Sequence, residues 1–324
     1  MRLRFPRRLA TEPIMVLAAV FLAALSLWGQ APPSTPSEAA DSGTVFRTAT
    51  RVVDLHATVV DRNGHLITNL PREAFTVSEN GVKQEIRSFK REDVPVSMGL
   101  IIDNSGSMRD KRAKVEAAAL ALVRDSNPQD EVFVVNFDDE PHLDLPRGKD
   151  FTSDLEEMEQ ALQRIDSRGG TAMRDAIKMS IDHLKKKAHR DKKVLVVVTD
   201  GNDNSSIVSL EDLLKTAQQS GVLIYSVGLL SEEEHGEARH AERALRGLAA
   251  ATGGEAFFPR EVSEVERIAH LVARDIRNQY SIVYAPANQS MDGTFRQIKV
   301  LAKGPGSPTV RTRSGYYATP DQVN

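Results

Sequence analysis

A short polar string directly after an apolar run combines residue types that can bind a metal ion. The run Val96–Ile102 leads into Asp103, and Ser105 and Ser107 follow it at alternate positions. If the loop curls, the carboxylate and the two hydroxyls point to one place, and Gly106 permits the close backbone approach that such a curl needs. Oxygen ligands of this kind suit Mg²⁺, Ca²⁺ or Mn²⁺ rather than zinc or copper. The same string can instead cap a helix through Asp103 or Ser107.

Two further segments supply a third hydroxyl and a second carboxylate. Thr171 follows a pair of glycines and precedes an amphipathic stretch, and Asp200 follows the valine-rich run Lys193–Thr199. In open α/β sheets, ligands bind outside the carboxyl ends of the strands, where such loops meet. The positions therefore predict a divalent metal site that is formed by five side chains: Asp103, Ser105, Ser107, Thr171 and Asp200.

The middle of the chain, residues 95–278, alternates between strand and helix patterns that would position these loops. Continuous β-branched runs are typical of strands buried on both faces of a parallel sheet, and apolar residues at helical spacing indicate amphipathic helices. The predicted strands are Val96–Ile102, Glu131–Phe137, Lys193–Thr199, Val222–Val227 and Ala256–Phe258. The predicted helices are Lys111–Arg124, Ser153–Ile165, Met173–Lys187, Ser209–Ser220, Ala238–Thr252 and Val262–Arg277. This alternation predicts an α/β fold with a doubly wound, mostly parallel sheet.

Both flanks of this segment show the two-residue alternation of half-buried strands. Three short strands are predicted within residues 45–92, with a turn at residues 61–64, and three more are predicted at Tyr280–Tyr284, Phe295–Leu301 and Val310–Tyr317. Each set is too small to bury a core alone. We therefore expect residues 45–92 and 279–318 to pack together as a small all-β sandwich, with a tail at residues 319–324.

The five candidate ligands resemble, in order, interval and strand-end position, the metal-ion-dependent adhesion site of von Willebrand factor type A domains. The resemblance covers the α/β segment and implies a von Willebrand factor A-like, Rossmann-type fold. It implies that Ser105 and Ser107 coordinate the ion directly, that Thr171 does so directly or through water, and that Asp103 and Asp200 hold bound waters. In the family the ion is commonly Mg²⁺ and sometimes Mn²⁺. One coordination position stays open for an Asp or Glu carboxylate of a protein partner.

Composition and the N-terminal pattern limit the location and the partners. The 324 residues include 42 Lys and Arg, 45 Asp and Glu and no cysteine, for a net charge of −3, which argues against a nucleic-acid-coating protein.

Four arginines within residues 2–8 precede an apolar stretch at 14–28, which is short for a membrane span, and small residues follow it. We expect a signal peptide at residues 1–31 and a linker at 32–44, and hence a periplasmic or secreted protein. An uncleaved N-terminal anchor is the alternative and would be the only contact with a membrane. The layout also resembles exported bacterial proteins that contain a von Willebrand factor A-related domain.

The sequence contains none of the common catalytic motifs, so we expect a binding protein rather than an enzyme. The predicted function is an exported adhesion or assembly module in which Mg²⁺ captures an acidic residue of a partner. Two alternatives stay open: a metal-assisted hydrolase of the cell envelope, and a structural subunit in which the ion only stabilises the fold. Two charged clusters are interpreted as a solvated turn and a solvated helix end. The first is Asp138–Glu140, and the second is Lys185–Lys187 with His189, Arg190, Lys192 and Lys193.

Overall fold

The computed structural model describes residues 51–91, 93–163, 168–201, 203–230 and 235–319. Outside this part of the chain lie the predicted signal peptide, the linker, the first residues of the N-terminal β segment and the last residues of the tail. Ile165, the end of one predicted helix, also lies outside it. None of the helices in the described ranges has the length and apolar character that are needed to cross a bilayer.

The N-terminal segment forms four strands, one more than predicted, and residues 61–74 separate the first strand from the second. The predicted turn after the first strand is present, since the N–H of Gly64 donates to the carbonyl of Asp61 over 3.1 Å. Asn80 and Gly81 connect the second and third strands with positive φ angles of 47° and 82°, as expected of a two-residue hairpin turn. The strands are β1 (Val53–Val60), β2 (Phe75–Glu79), β3 (Val82–Gln84) and β4 (Ile86–Arg91).

The central segment is a six-stranded sheet with helices between its strands. The sheet order is β10-β9-β8-β5-β6-β7, and every neighbouring pair is parallel except β6 and β7. The strands are β5 (Val96–Asp103), β6 (Glu131–Phe137), β7 (Pro141–Leu143), β8 (Lys192–Thr199), β9 (Leu223–Gly228) and β10 (Ala256–Phe257). The helices are α1 (Arg112–Arg124), α2 (Leu155–Leu162), α3 (Met173–Lys187), α4 (Leu210–Ser220), α5 (His235–Thr252) and α6 (Val265–Arg277). The predicted doubly wound α/β fold is confirmed.

The chain order around β5 explains where a ligand can bind. From β5 the chain passes to β6 and β7 on one side, and then returns to build β8, β9 and β10 on the other side. The carboxyl end of β5 is therefore the point at which the direction of winding reverses, and such points are the usual ligand sites of open sheets. Every residue of β5 is buried, which agrees with the apolar run that predicted a buried strand.

Several boundaries differ from the sequence prediction for local reasons. Asp154 caps α2 by accepting a hydrogen bond from the N–H of Glu156, so this helix starts two residues later than predicted. Helix α5 begins at His235 rather than Ala238, and the first three residues of the predicted last helix form a separate 3₁₀ turn. The edge strand β7 was not predicted, because three residues with one half-buried position carry no alternating pattern.

The C-terminal strands complete a sandwich with the N-terminal ones, as predicted. One sheet has the order β13-β1-β11-β4 and the other β14-β12-β2-β3, and their inner faces share one apolar core. The predicted single strand Val310–Tyr317 is wrong, because it divides into two strands that belong to different sheets. Between them, the N–H of Ser314 donates to the carbonyl of Ala251 in α5, which bends the chain from one sheet to the other. The new strands are β11 (Tyr280–Tyr284), β12 (Phe295–Ala302), β13 (Thr309–Arg311) and β14 (Gly315–Tyr317).

A buried polar cluster joins the sandwich to the α/β segment. Its centre is Asp275 on α6, a residue that is 5% exposed. The Asp275 carboxylate accepts hydrogen bonds from the Thr58 hydroxyl over 2.6 Å, the Tyr225 hydroxyl over 3.0 Å and the Arg311 guanidinium over 2.7 Å. These donors lie on β1, β9 and β13, so one carboxylate connects both parts of the protein.

Candidate functional site

Asp103 is the last residue of β5, and its carboxylate organises the loop that follows. The residue is fully buried, with 0% exposure. One carboxylate oxygen accepts a hydrogen bond from the N–H of Ser105 over 2.8 Å, and the other accepts one from the hydroxyl of Thr199 over 2.6 Å. Because Thr199 ends the neighbouring strand β8, this contact holds the first candidate loop against the strand that leads to Asp200.

The two serine hydroxyls and the second carboxylate form a chain of short polar contacts. The Ser105 and Ser107 hydroxyl oxygens are 3.1 Å apart, and the Ser107 hydroxyl donates to the Asp200 carboxylate over 2.8 Å. The 3.1 Å between the two serine oxygens suits direct coordination of one ion, because adjacent oxygen ligands of an octahedral Mg²⁺, each about 2.1 Å from the ion, are separated by about 3 Å. Neither the 3₁₀ turn at residues 106–108 nor α1 receives a side-chain cap from this string in the described structure, so helix capping does not explain it.

Thr171 lies beside the same loops, and backbone contacts join all three of them. The N–H of Gly106 donates to the carbonyl of Gly169 over 3.4 Å. The N–H of Thr171 donates to the side-chain oxygen of Asn204 over 2.8 Å, and the N–H of Asn204 donates back to the Thr171 carbonyl over 3.1 Å. A Cβ atom built on Gly201, the neighbour of Asp200, would lie 3.9 Å from the Thr171 hydroxyl. The structure thus brings all five predicted residues to one edge of the sheet.

The acidic segment at residues 138–140 supports the loop of Thr171, and only part of it is the solvated turn that was predicted, since Asp139 and Glu140 are exposed whereas Asp138 is buried. Asp138 is only 7% exposed, and its carbonyl accepts a hydrogen bond from the N–H of Ala172 over 2.7 Å. The Asp139 carboxylate accepts one from the N–H of Gly170 over 2.8 Å. A Cβ atom on Gly170 would approach the side-chain oxygens of Asp139, Asn204 and Ser205 to between 2.4 and 2.9 Å, so a larger residue here would displace these side chains.

Lys111 is a charged member of the site that the sequence analysis missed. It precedes α1, and its ammonium group donates to the Asp200 carboxylate. A lysine near a helix start has no recognisable spacing to a carboxylate 89 residues later, so no sequence signal identified it. Asp103, Asp200 and Lys111 together carry one net negative charge when all three are ionised.

Burial makes Asp103 the electrostatically unusual group of the site. The burial of the carboxyl raises its pKa from 3.8 to about 6, and the negative charge of Asp200 adds to this increase. Hydrogen bonds from Ser105 and Thr199 act in the opposite direction but are weaker in total. A buried carboxyl with a raised pKa lacks a counter-charge, which a divalent cation would supply. The donor set therefore fits a hard cation.

Acidic and histidine side chains alone do not define a metal site here. Within the described ranges, no group of three or more His, Asp or Glu residues is placed to hold an ion. In the candidate site, three of the five oxygen-bearing side chains are neutral hydroxyls. Such a site therefore depends on Ser105, Ser107 and Thr171 as much as on its two carboxylates.

Comparison with known proteins agrees with this architecture. The family model of the von Willebrand factor type A domain matches residues 98–273, a range that includes all five candidate residues and Lys111. No curated protein sequence matches the chain.

Several solved structures are similar to the chain at low sequence identity. A von Willebrand factor type A protein from Catenulispora acidiphila is 15% identical, with a TM-score of 0.49, over 85% of this chain and 75% of that chain. The von Willebrand factor domain of a type V pili tip protein from Porphyromonas gingivalis is 15% identical, with a TM-score of 0.45, over 57% and 97% of the two chains. Proximal thread matrix protein 1 from the mussel byssus, with a zinc-occupied MIDAS motif, is 17% identical, with a TM-score of 0.44, over 57% and 48%.

Proposed function

The chain belongs to the von Willebrand factor type A domain family, and we propose that it is a protein-binding module that depends on a divalent metal ion, Mg²⁺ in the first instance. The observation that carries this proposal is the continuous polar contact from Ser105 through Ser107 to Asp200, next to the buried carboxyl of Asp103. These groups lie at the carboxyl end of β5, where the winding of the sheet reverses and ligands usually bind.

The side chains divide into direct ligands and groups that position water. Ser105 and Ser107 would hold the ion through their hydroxyl oxygens, and Thr171 would do so directly or through water. Asp103 and Asp200 would accept hydrogen bonds from waters on the ion and balance its charge. Mg²⁺ binds six oxygens and readily keeps waters, so a site with few protein ligands suits it. When bound, the ion supplies an electrophilic centre for an outside oxygen ligand.

The charge balance explains why the partner's ligand is a carboxylate. Asp103, Asp200 and Lys111 together have one net negative charge when ionised, and a divalent cation changes this to one net positive charge. A single Asp or Glu side chain from a partner then neutralises the site. Neutral hydroxyls as direct ligands leave the ion's charge largely uncompensated, and this favours an anionic ligand at the open position.

We also propose that this module acts outside the cytoplasm, periplasmic or secreted, and that binding rather than catalysis is its role. The N-terminal sequence pattern supports the location, and the lack of a catalytic motif in the sequence supports the role.

Calorimetric titration of Mg²⁺ tests the metal site directly. We expect wild-type protein to bind Mg²⁺ with measurable heat, and the double variant Ser105→Ala/Ser107→Ala to show none, because it lacks two direct ligands. Ser78→Ala, on the sandwich, is the matched control and should bind as wild type does. Circular dichroism should show that all three proteins are folded. Equal Mg²⁺ heats in wild type and the double variant would contradict the proposal.

Capture of partners from a cell-envelope extract tests the role of the ion. We expect the wild-type protein to retain a partner with Mg²⁺, to release it with a chelator, and to retain nothing when the extract's carboxylates have been converted to amides. If the chelator leaves partner capture unchanged but lowers the melting temperature strongly, the ion is structural. Mg²⁺-dependent turnover of a phosphoester or peptide would support the hydrolase alternative.

A further inference from the structure

An arginine-lined cleft lies between α1, α6 and the end of β4, apart from the candidate metal site. Its volume is about 800 Å³. Asp93, which precedes β5, lines this cleft, whereas Asp103 ends β5 at the metal site, so the two sites lie at opposite edges of the sheet. An eight-residue strand is about 26 Å long. We call this feature the arginine cleft, and its charged lining residues are Arg91, Asp93, Arg124, Asp125, Arg267, His270, Arg274 and Arg277.

Helix α6 supplies half of these groups from a single face. Arg267, His270, Arg274 and Arg277 are separated by three, four and three positions, which places them in one row along the helix. The opposite face, including Ile268, Val272 and Ile276, is buried against the α/β core. The basic row extends over about 15 Å of helix.

The acidic residues of the cleft are already paired, and they leave part of the positive charge uncompensated. The Arg277 guanidinium donates to the Asp93 carboxylate over 2.7 Å, and His270 contacts the Asp125 carboxylate. Arg267 pairs outside the cleft lining with Glu264 over 3.2 Å.

Three guanidinium groups remain without an acidic partner in the described structure. Arg91 contacts only the side-chain oxygen of Asn278, over 3.3 Å. Neither Arg124 nor Arg274 has a side-chain hydrogen bond or ion pair to another described residue. The cleft is therefore a local excess of positive charge on a chain whose net charge is −3.

Favourable charges at helix C-termini do not account for the whole cluster. Arg124, Arg274 and Arg277 lie in the last turns of α1 and α6, where basic residues stabilise the helix dipole. Arg91, however, ends a β-strand, and Arg267 is the third residue of α6, at the end where a positive charge is unfavourable. The ion pair with Glu264 compensates Arg267, whereas neither a helix C-terminus nor an acidic partner in the described ranges accounts for Arg91.

Guanidinium groups recognise oxyanions through paired N–H donors. Several unpaired guanidiniums around one concave space suit a ligand with more than one anionic group, and the limited volume suits a compact ligand rather than a flat surface. We propose that the arginine cleft binds a compact, multiply charged oxyanion, with linked phosphate groups as the best match. This proposal does not depend on the metal site.

Tripolyphosphate is the probe, titrated calorimetrically into the full chain in metal-free buffer of low ionic strength. We expect the double variant Arg124→Gln/Arg274→Gln to bind it at least about tenfold more weakly, because two charge-assisted contacts are lost. The control Lys185→Gln/Lys186→Gln removes the same charge from the end of α3 and should stay within about twofold of wild type. Arg124 and Arg274 are exposed, and removing their favourable interactions with the helix C-termini should lower the melting temperature by only a few degrees, so both proteins stay folded at the titration temperature.

Further probes distinguish the sources of anionic charge. Tighter binding of tripolyphosphate than of monophosphate supports the proposal. Citrate, titrated in parallel, carries linked carboxylates instead, and tighter binding of citrate than of tripolyphosphate would contradict linked phosphates as the best match. The proposal is overturned by lack of tripolyphosphate binding at millimolar concentration, by equal affinity for monophosphate, or by an equal loss in the lysine control.

Discussion

Two buried aspartates of this protein both accept hydrogen bonds from neighbouring groups, but they differ in the charge of those neighbours. Asp275, at the junction of the two parts, accepts hydrogen bonds from two hydroxyls and from the cationic guanidinium of Arg311. Asp103, at the end of β5, accepts them from the Thr199 hydroxyl and from the N–H of Ser105. The charged group that most affects Asp103 is a second carboxylate, Asp200, which raises its pKa further.

The difference separates a structural carboxylate from a candidate functional one. A buried charge with a direct counter-ion and several donors is compensated within the protein, and it can fasten two elements together. A buried carboxyl without a counter-ion destabilises the fold on its own, and such groups are concentrated at functional sites. Three changes test this comparison, and they are ordered by the size of the expected effect.

Replacing Asp275 should have the largest effect on stability. Asp275→Ala leaves Thr58 and Tyr225 without their acceptor and removes one counter-charge of Arg311, so we expect unfolding to become easier by about 3–5 kcal/mol. Urea denaturation monitored by circular dichroism measures this change. The matched control is Glu255→Ala, which removes the other, partly exposed partner of Arg311 and should change stability by less than about 1 kcal/mol. Equal effects of the two variants would show that Asp275 is not the centre of the junction.

Replacing Lys111 should alter the candidate metal site without weakening it. Lys111→Met removes the ammonium group that contacts Asp200, so a cation no longer competes with Mg²⁺ for that carboxylate. We expect Mg²⁺ to bind about tenfold more tightly, a gain of about 1.4 kcal/mol. Calorimetric titration measures the affinity, and Lys114→Met, an exposed change in the first turn of α1, should have no effect. Weaker binding in Lys111→Met would mean that the lysine supports the ion instead of opposing it.

The pH dependence of the free energy of unfolding should show the smallest effect, and its expected direction is an increase in stability as the pH falls. Because burial raises the pKa of Asp103 from 3.8 to about 6, its protonation favours the folded state, and this contribution is lost as the pH rises through 6. Metal-free wild type should therefore gain about 1 kcal/mol from this group between pH 7.5 and pH 5. Asp103→Asn, which does not titrate, supplies the reference for all other groups. Denaturation curves at both pH values measure the difference.

Addition of Mg²⁺ sharpens the same test. A bound cation favours the ionised carboxylate, so saturating Mg²⁺ should remove or reverse the gain of wild type at pH 5. If wild type and Asp103→Asn respond to pH in the same way without metal, Asp103 is compensated as Asp275 is, and the comparison fails.

Repetitive patterns made much of the fold predictable. The strand Glu131–Phe137, the helix Met173–Lys187 and the strand Tyr280–Tyr284 have the predicted bounds, and α4 differs only in that Ser209 caps it instead of beginning it. Long apolar runs and helical spacing report burial directly, because the sequence period matches the geometry of the element. The error at Val310–Tyr317 has the opposite cause. The apolar residues at the two ends of this segment belong to different sheets, and the chain turns between them at Ser314, which contacts Ala251 in α5.

The candidate site divides in the same way. Residue types, and positions next to predicted strands and helices, were enough to select Asp103, Ser105, Ser107, Thr171 and Asp200 from the sequence. That they bind a metal ion stays a prediction. The contacts of Lys111, Thr199, Asp139 and Asn204 with these loops depend on how distant segments are packed, and no spacing encodes them.

The sequence by itself determined the order of the elements and the chemical groups that each loop carries, because both depend on local period and residue type. Only the tertiary structure decided which charges are compensated. It pairs Asp275 with Arg311, leaves Asp103 beside Asp200, and gathers arginines of β4, α1 and α6 around one cleft. The physical reason is that electrostatic energy depends on distance and burial in space, and neither follows from separation along the chain.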